Sequence, residues 1–358
     1  MSMVVTGGGT GGHVFPALEV ARYAREQGVD VAYFGSVRGQ EAVVAPRAGL
    51  AFEGFGSEPI YSIRTPRGWR AMLRLWRASG AAKSKLAQYK PSVVFSTGGY
   101  SSAPVVQAAK RLGIPYVIHE QNSVPGRTNQ ILGRSARSVA VTFEVTKKFF
   151  PGHTVRTGMP VRSELRALAG QMHLDAGEGH GRVLVVGGSQ GAAAVNEAAL
   201  ATAQRLASRK LRWLNVTGKK HFEAIFASYE KLGISNLYEM KSFLEGSAMG
   251  EEYSRSSFVV ARSGAGTLSE LAAFRLPAVL IPYPHAFANH QFHNAKEFVD
   301  LGAASLLEQG DLHPARLESE LLSWIDDPSR IRKAQEALAS WDAPNSTADI
   351  FRLLTNQV

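Results

Sequence analysis

Short apolar runs alternate along this chain with longer stretches in which apolar residues recur every three to four positions. Residues 3–5, 31–34, 93–95, 116–118, 183–186, 258–260 and 278–281 are near-continuous apolar runs, the pattern of strands covered on both faces. Strand and helix patterns in alternation predict parallel sheets with helices on both sides. The order also echoes itself. Val4-Val5-Thr6-Gly7-Gly8-Gly9-Thr10-Gly11-Gly12 and Leu184-Val185-Val186-Gly187-Gly188-Ser189-Gln190-Gly191-Ala192 both read strand, glycine turn, helix, at an offset of 180 positions. The reading is therefore of two doubly wound α/β domains, residues 1–160 and 161–342. Gly158, Gly170, Gly177, Gly179 and Gly181 mark the boundary region, and a helical tail, 343–358, packs back on the first domain.

Composition agrees with two cores. The chain has 358 residues and is 45% hydrophobic, enough for two domains of roughly 100–200 residues each. It has no cysteine, which excludes disulfides, thiol nucleophiles and cysteine metal sites. No leader-like segment precedes the first strand and no apolar run nears the ~18–20 residues of a spanning helix, so a cytosolic protein is predicted. A net charge of +10 suggests an anionic partner: nucleic acid, phosphorylated substrate or membrane surface.

Four stretches carry candidate chemistry. Gly7, Gly9 and Gly12 satisfy G-x-G-x-x-G, so a dinucleotide cradle is one reading and a plain strand-to-helix turn another. The second strand ends in Gly35-Ser36 instead of an acidic residue, which disfavours NAD, while Ser36 with Arg38 leaves NADP open. Neither reading explains His13. In the first turn of a helix it meets the positive dipole end, which favours the neutral imidazole of a general base. Gly187-Gly188-Ser189-Gln190-Gly191 fits a hydrolase nucleophile elbow, and equally a turn that binds phosphate through N–H groups and a hydroxyl. In Arg262-Ser263-Gly264-Ala265-Gly266-Thr267-Leu268-Ser269-Glu270, Thr267 and Glu270 have the spacing of a capping box. A diphosphate-binding helix start, with Glu270 on both hydroxyls of a ribose, fits the same residues. His119-Glu120-Gln121-Asn122 closes a strand with four hydrogen-bonding side chains, which suits sugar recognition as well as ordinary loop polarity. His285, His290 and His293 have no cysteine or acidic pair to complete a metal shell, and no metal is predicted.

Taken in order, GGTGGHVFPAL (8–18), STGGYSSAP (96–104), HEQN (119–122), GMPVR (158–162), VVGGSQGA (185–192), RSGAGTLSE (262–270) and the Gln291-to-Asn294 region resemble one family closely. It is the bacterial UDP-N-acetylglucosamine:undecaprenyl-pyrophosphoryl-MurNAc-pentapeptide N-acetylglucosaminyltransferases, MurG-type enzymes that make lipid II from lipid I. The resemblance spans essentially the whole chain and implies the GT-B fold, two Rossmann-like domains facing across a cleft. It implies UDP-GlcNAc and lipid I as partners, an anionic membrane surface on the cytoplasmic face, no nucleic acid and no cofactor.

By the same resemblance, Ser189, Arg162 and the helix start Ala265, Gly266 and Thr267 hold the donor diphosphate, with Leu268 and Ser269 beside them. Glu270 takes the ribose hydroxyls, backbone near Leu244 reads the uracil edge, and Asn122 and Gln291 bind the GlcNAc hydroxyls. Thr10, Gly11 and Gly12 border the donor too. Gly11, Gly12, Gly98, Gly99, Tyr100, His119 and Glu120 are implied for the acceptor, and His13, Thr10 and Tyr100 stand nearest the reacting centre, with His13 as base. One position departs: His290 stands where relatives often carry glutamine. The implied reaction inverts the anomeric carbon, through a transition state with oxocarbenium character. The chain has no D-x-D sequence, so helix N-termini and arginine are expected to meet the leaving UDP.

Trp69, Met72, Leu73 and Trp76 recur at i, i+3, i+4 and i+7, on one helical face, while Arg67, Arg70, Arg74 and Arg77 gather on another. Read alone, the apolar face packs on the first domain's sheet and the arginines are solvated. Beside the resemblance, Trp69, Leu73 and Trp76 with Arg70 and Arg74 suit an anionic membrane interface.

Overall fold

The computed structural model describes residues 1–58, 65–170, 181–188 and 191–356. They form two compact units, Met1–Arg162 with Asn345–Val358, and Ser163–Pro344.

The first unit is built on seven parallel strands: β1 (Ser2–Thr6), β2 (Asp30–Ser36), β3 (Ala51–Phe55), β4 (Val93–Ser96), β5 (Tyr116–Glu120), β6 (Ser138–Val141) and β7 (Thr154–Arg156). Their order is β3-β2-β1-β4-β5-β6-β7, so the winding reverses between β1 and β4. The apolar centres of β1, β4 and β5 are fully buried, which is why these runs lack alternation. The helices are α1 (Gly11–Glu26), α2 (Glu41–Arg47), α3 (Pro66–Tyr89), α4 (Ala103–Leu112) and α5 (Arg127–Gly133). Thr65 caps α3 by accepting from the Gly68 N–H at 3.1 Å, with Pro66 in the first helical position where a missing N–H costs nothing. Ala71, Ala78, Ala82 and Leu86 form the buried face of α3. Trp69, Met72, Leu73 and Trp76 lie outside it and are 66%, 42%, 48% and 65% exposed. The tryptophans are therefore not core residues, and the reading that packs this stripe on the sheet is corrected. Small residues let α3 lie close on α4, and the large ones are left on the solvent side.

The second unit repeats the plan with six parallel strands: β8 (Arg182–Val186), β9 (Arg212–Val216), β10 (Tyr238–Lys241), β11 (Phe258–Ala261), β12 (Ala278–Leu280) and β13 (Ala304–Leu306). Their order is β10-β9-β8-β11-β12-β13, reversing between β8 and β11. Around them lie α6 (Ser163–Gly170), α7 (Ala193–Arg205), α8 (Phe222–Tyr229), α9 (Gly246–Ser254), α10 (Ala265–Ala273), α11 (His290–Asp300), α12 (Pro314–Ile325) and α13 (Pro328–Trp341). The last helix, α14 (Ser346–Thr355), belongs to the first unit. Its Ile350 and Leu354 are buried among Met3, Val5, Ala17 and Val20, and Phe351 meets Tyr23 edge-on at 5.5 Å.

Two doubly wound parallel α/β sheets are thus present, as the sequence predicts. In such sheets ligands bind beyond the carboxyl ends of the strands where the winding reverses. In the first unit these are the turns after β1 and β4, and in the second the turns after β8 and β11.

Candidate active site

In the first unit the two turns interlock. The Gly8 N–H donates to the Gly98 carbonyl at 3.3 Å, and Thr97 Oγ1 donates to the His13 carbonyl at 2.7 Å. Gly99 has φ +83°, and a Cβ there would lie 2.2 Å from the Gly8 carbonyl oxygen and 3.3 Å from His13 Cδ2. Only glycine fits where the second turn meets the first. Gly9 and the Tyr100 ring are in similarly close approach. Thr10, Gly11, Gly12, His13, Gly98, Gly99 and Tyr100 are therefore brought to one place at the mouth of this sheet.

His13 Nδ1 lies 2.8 Å from the Thr97 carbonyl. A carbonyl only accepts, so Nδ1 carries a proton, and in the neutral form of the ring the lone pair is then on Nε2. Thr10 precedes α1 in extended conformation and its side chain does not cap the helix. The first turn of α1, with Gly11 and Gly12, therefore keeps the N–H groups and positive end that stabilise an anion.

The sequence reading passed over Glu41. This carboxylate is fully buried, accepting from Ser36 N–H at 3.0 Å and Gly9 N–H at 3.3 Å, and a Cβ on Gly8 would lie 2.2 Å from it. A dinucleotide pyrophosphate would have to sit against a carboxylate that already holds the turn's N–H groups. That argues against the NADP reading on charge and on space.

His119 and Glu120, expected to face the acceptor, are instead buried inside the first unit, at 0% and 1% exposure. Glu120 accepts from Asn122 N–H at 2.9 Å, Gly126 N–H at 3.2 Å and Asn129 Nδ2 at 2.8 Å. Burial pushes its carboxyl above the usual range against these donors. It shapes the loop that carries Asn122, which is half-buried and retains access. His119 Nε2 donates to the Gly158 carbonyl at 2.9 Å, and burial, opposed by that carbonyl and aided by nearby His13, holds its pKa at about 4. It stays neutral. Arg162 ends the first unit, its guanidinium 5.8 Å above the Phe15 ring, and so is not part of the second unit where the sequence reading put it.

In the second unit Ser189 lies outside the described residues. The other turn is well defined. Gly264 precedes α10, and no side chain caps it. The capping-box reading fails because α10 begins at Ala265, which puts Thr267 in the first turn and Glu270 in the second. Glu270 is half-buried, and its Oε2 accepts from the Tyr253 hydroxyl at 3.0 Å. Gly266, Thr267 and Glu270 keep partial exposure, whereas Leu268 and Ser269, also expected near the donor, turn into the core at 0% and 3% exposure.

Arg262 is another residue to which the sequence gave no role. It is buried and donates to the carbonyls of Ile281 at 3.1 Å and Pro282 at 2.8 Å, and to Gln309 Oε1 at 2.5 Å. All three acceptors are neutral, and burial lowers its pKa from the ordinary arginine value. Ser263 Oγ donates to the Gln291 carbonyl at 2.8 Å, and Asn294 Nδ2 to the Ser263 carbonyl at 3.2 Å, which fixes the start of α10 against α11. Gln291 is half-buried with Oε1 on the Tyr283 N–H at 3.0 Å. His290 Nδ1 donates to the Phe287 carbonyl at 2.9 Å, and Leu244 is half-buried in the loop between β10 and α9.

Comparison with known proteins agrees with this geometry. Residues 3–141 match the glycosyltransferase family 28 N-terminal domain and residues 182–350 the family 28 C-terminal domain. The chain is 35% identical to the UDP-N-acetylglucosamine--N-acetylmuramyl-(pentapeptide) pyrophosphoryl-undecaprenol N-acetylglucosamine transferase of Bacillus licheniformis, over 99% of this chain and 98% of that one. It is 35% identical to the enzyme of the same name from Moorella thermoacetica, over 100% and 99%. The crystal structure of Acinetobacter baumannii MurG superimposes with a TM-score of 0.81 at 28% identity, covering 99% of each chain. The chain therefore belongs to glycosyltransferase family 28, as a MurG-type member with the GT-B fold.

Proposed function

We propose that the chain moves N-acetylglucosamine from UDP-GlcNAc to the C4 hydroxyl of MurNAc in lipid I, giving lipid II and UDP. The observation that carries this reading is the full-length identity to transferases named for that reaction. In this reading the first unit takes the acceptor. His13 Nε2 receives the proton of the attacking hydroxyl, with Tyr100, Thr10, Gly98 and Gly99 around it and the first turn of α1 turned toward the lipid diphosphate. The second unit takes the donor. The uncapped start of α10 at Ala265, Gly266 and Thr267 stabilises the charge that grows on departing UDP, and Glu270 binds the ribose. Ser189, Leu244 and Gln291 complete that unit's donor contacts; Arg162 and Asn122, which belong to the first unit, are proposed for the donor on the resemblance alone. As the hydroxyl oxygen bonds to C1, the bond from C1 to the UDP oxygen breaks and the configuration at C1 inverts. An NADP oxidoreductase is not favoured, nor is a further alternative, a nucleotide-sugar binding protein without catalysis, beside relatives named as transferases.

We further propose that the enzyme works at the cytoplasmic face of the membrane, held there by α3. The support is the exposed stripe of Trp69, Met72, Leu73 and Trp76, flanked by exposed Arg70, Arg74 and Arg77. Arg74 is partly neutralised by Glu58 at 2.6 Å. Among the described residues no helix is long and apolar enough to cross a membrane. Mass spectrometry of a lipid I analogue incubated with enzyme and UDP-GlcNAc tests the reaction: the acceptor should gain one N-acetylhexosamine, and an unmodified acceptor beside a folded, donor-bound enzyme would defeat the reading.

A further inference from the structure

The Thr97 carbonyl that fixes the His13 ring accepts a second hydrogen bond, from Gln121 Nε2, also at 2.8 Å. Gln121 is 2% exposed, and the same Nε2 lies 3.2 Å from His119 Nδ1 and 3.1 Å from the His119 carbonyl. The protons along this path follow from one fixed end. The Gly158 carbonyl can only accept, so His119 Nε2 carries its proton and Nδ1 is an acceptor. An acceptor at Nδ1 requires the Gln121 amide to present its NH2, and the same NH2 then donates to the Thr97 carbonyl. Turning the amide over would set its oxygen against two carbonyls and a ring lone pair. The buried acidity of His119, held at about 4, keeps this arrangement across neutral pH.

We propose that Gln121, oriented by His119, is a positioning residue for His13: it holds the Thr97 carbonyl in place and shares it, so that the imidazole is fixed as the Nδ1–H tautomer with moderate basicity. This deepens the reading of His13 as the base and rests on it. A carbonyl that already accepts one strong hydrogen bond stabilises an imidazolium less than one left to His13 alone. Gln121 therefore lowers the basicity of His13 as well as aiming it. Substrate is not touched by Gln121 or His119.

The test is the pH profile of kcat/KM for wild type, His13→Ala, Gln121→Glu and Gln121→Met, with UDP-GlcNAc and a soluble lipid I analogue. Titratable groups near the turn besides His13 are His119, Glu120, Tyr100, Tyr33 and Glu41, and all five are unchanged in these variants. A carboxylate at 121 cannot donate to the Thr97 carbonyl, so Gln121→Glu breaks that hydrogen bond and, when ionised, sets a negative charge near the imidazole; it should lower kcat and move the acid limb up by about one pH unit or more. Gln121→Met removes the donor without adding charge. It should lower kcat about 10- to 100-fold with donor KM unchanged, the cost of a loosely aimed base, and shift the limb upward less. Folded Gln121 variants with wild-type limbs and kcat would overturn the inference, and if His13→Ala still collapsed the base reading would survive. Near-normal turnover of His13→Ala would instead remove the base reading itself. Nitrogen NMR of the histidines in the wild-type enzyme needs no variant to fold: His13 protonated at Nδ1 and His119 at Nε2 supports the proposal, and His13 as the neutral Nε2–H tautomer overturns it.

Discussion

Acidification should loosen the first unit because His119 must stay neutral to keep its place. Its pKa is about 4 in the folded protein against an ordinary 6.5, the shift being driven by complete burial. Between those values the unfolded chain binds a proton that the folded chain refuses, so stability is fully present above pH 6.5 and falls as the pH drops toward 4. The gap corresponds to about 3 kcal/mol once the pH has passed below the folded value, with most of it lost on the way. Glu120 works the other way, since burial pushes its carboxyl up and acid is taken up more readily by the folded state. Glu252 adds to the acid loss at lower pH: desolvation would raise its pKa, but the Lys241 hydrogen bond and the charges of Arg182, Lys241 and Arg255 outweigh it. Comparing wild type with His119→Asn cancels these shared contributions. The assay is urea unfolding at steps from about pH 7 to about pH 4, with amide exchange in β1, β4 and β5 reporting the first unit alone. The variant should be less stable at neutral pH and flatter in its pH dependence. Parallel profiles, or an NMR midpoint for His119 near 6.5, would refute the reasoning.

Glu270→Gln should lower kcat/KM for the donor by roughly 1–3 kcal/mol of charge-assisted hydrogen bonding, whereas Tyr253→Phe, which removes the hydroxyl that donates to Glu270, should affect stability more than donor kinetics; equal kinetic losses would place Glu270 in a structural role. Replacing Trp69 and Trp76 by serine should change the melting temperature little, since both are well exposed, yet weaken salt-sensitive binding to anionic liposomes and turnover on membrane-embedded acceptor. A soluble acceptor should be used normally, and unchanged liposome binding would remove α3 as the anchor. Gly99→Ala should cost more than about 3 kcal/mol or abolish folding of the first unit, because the added Cβ combines positive φ with backbone overlap; a melting curve like wild type would contradict the interlocked turns.

The strands legible in the sequence were β1, β2, β4, β5, β8, β11 and β12, those near the centres of the two sheets. Residues with helices on both sides leave an unbroken apolar run. Those missed include all four sheet edges, β3, β7, β10 and β13, where the runs are short and partly polar, as in Ala51–Phe55 and Tyr238–Lys241. Glycine turns were legible because few backbones other than glycine enter such turns, but their contents were not. Glu41 meets Ser36 only five residues away, yet reaches Gly9 through the pairing of β1 with β2, a contact that no local pattern announces. Arg262 and Gln121 were hidden for a similar reason, since most of their partners are backbone carbonyls, which any residue supplies. The Thr267-x-x-Glu270 spacing also placed the helix start three residues late, and period alone could not say which face of α3 was inside. The alanines at 71, 78 and 82 decide that, as they let the neighbouring helix approach.

In the proposed reaction donor and acceptor are joined in one displacement. UDP release from UDP-GlcNAc, measured with and without a soluble lipid I analogue, tests it most directly. UDP should appear only with acceptor, one for one with a GlcNAc-MurNAc product of inverted anomeric configuration, and its release should fall about 10²- to 10⁴-fold in His13→Ala while donor affinity is kept. Release at the same rate without acceptor, or none from an enzyme saturated with both substrates, would contradict it.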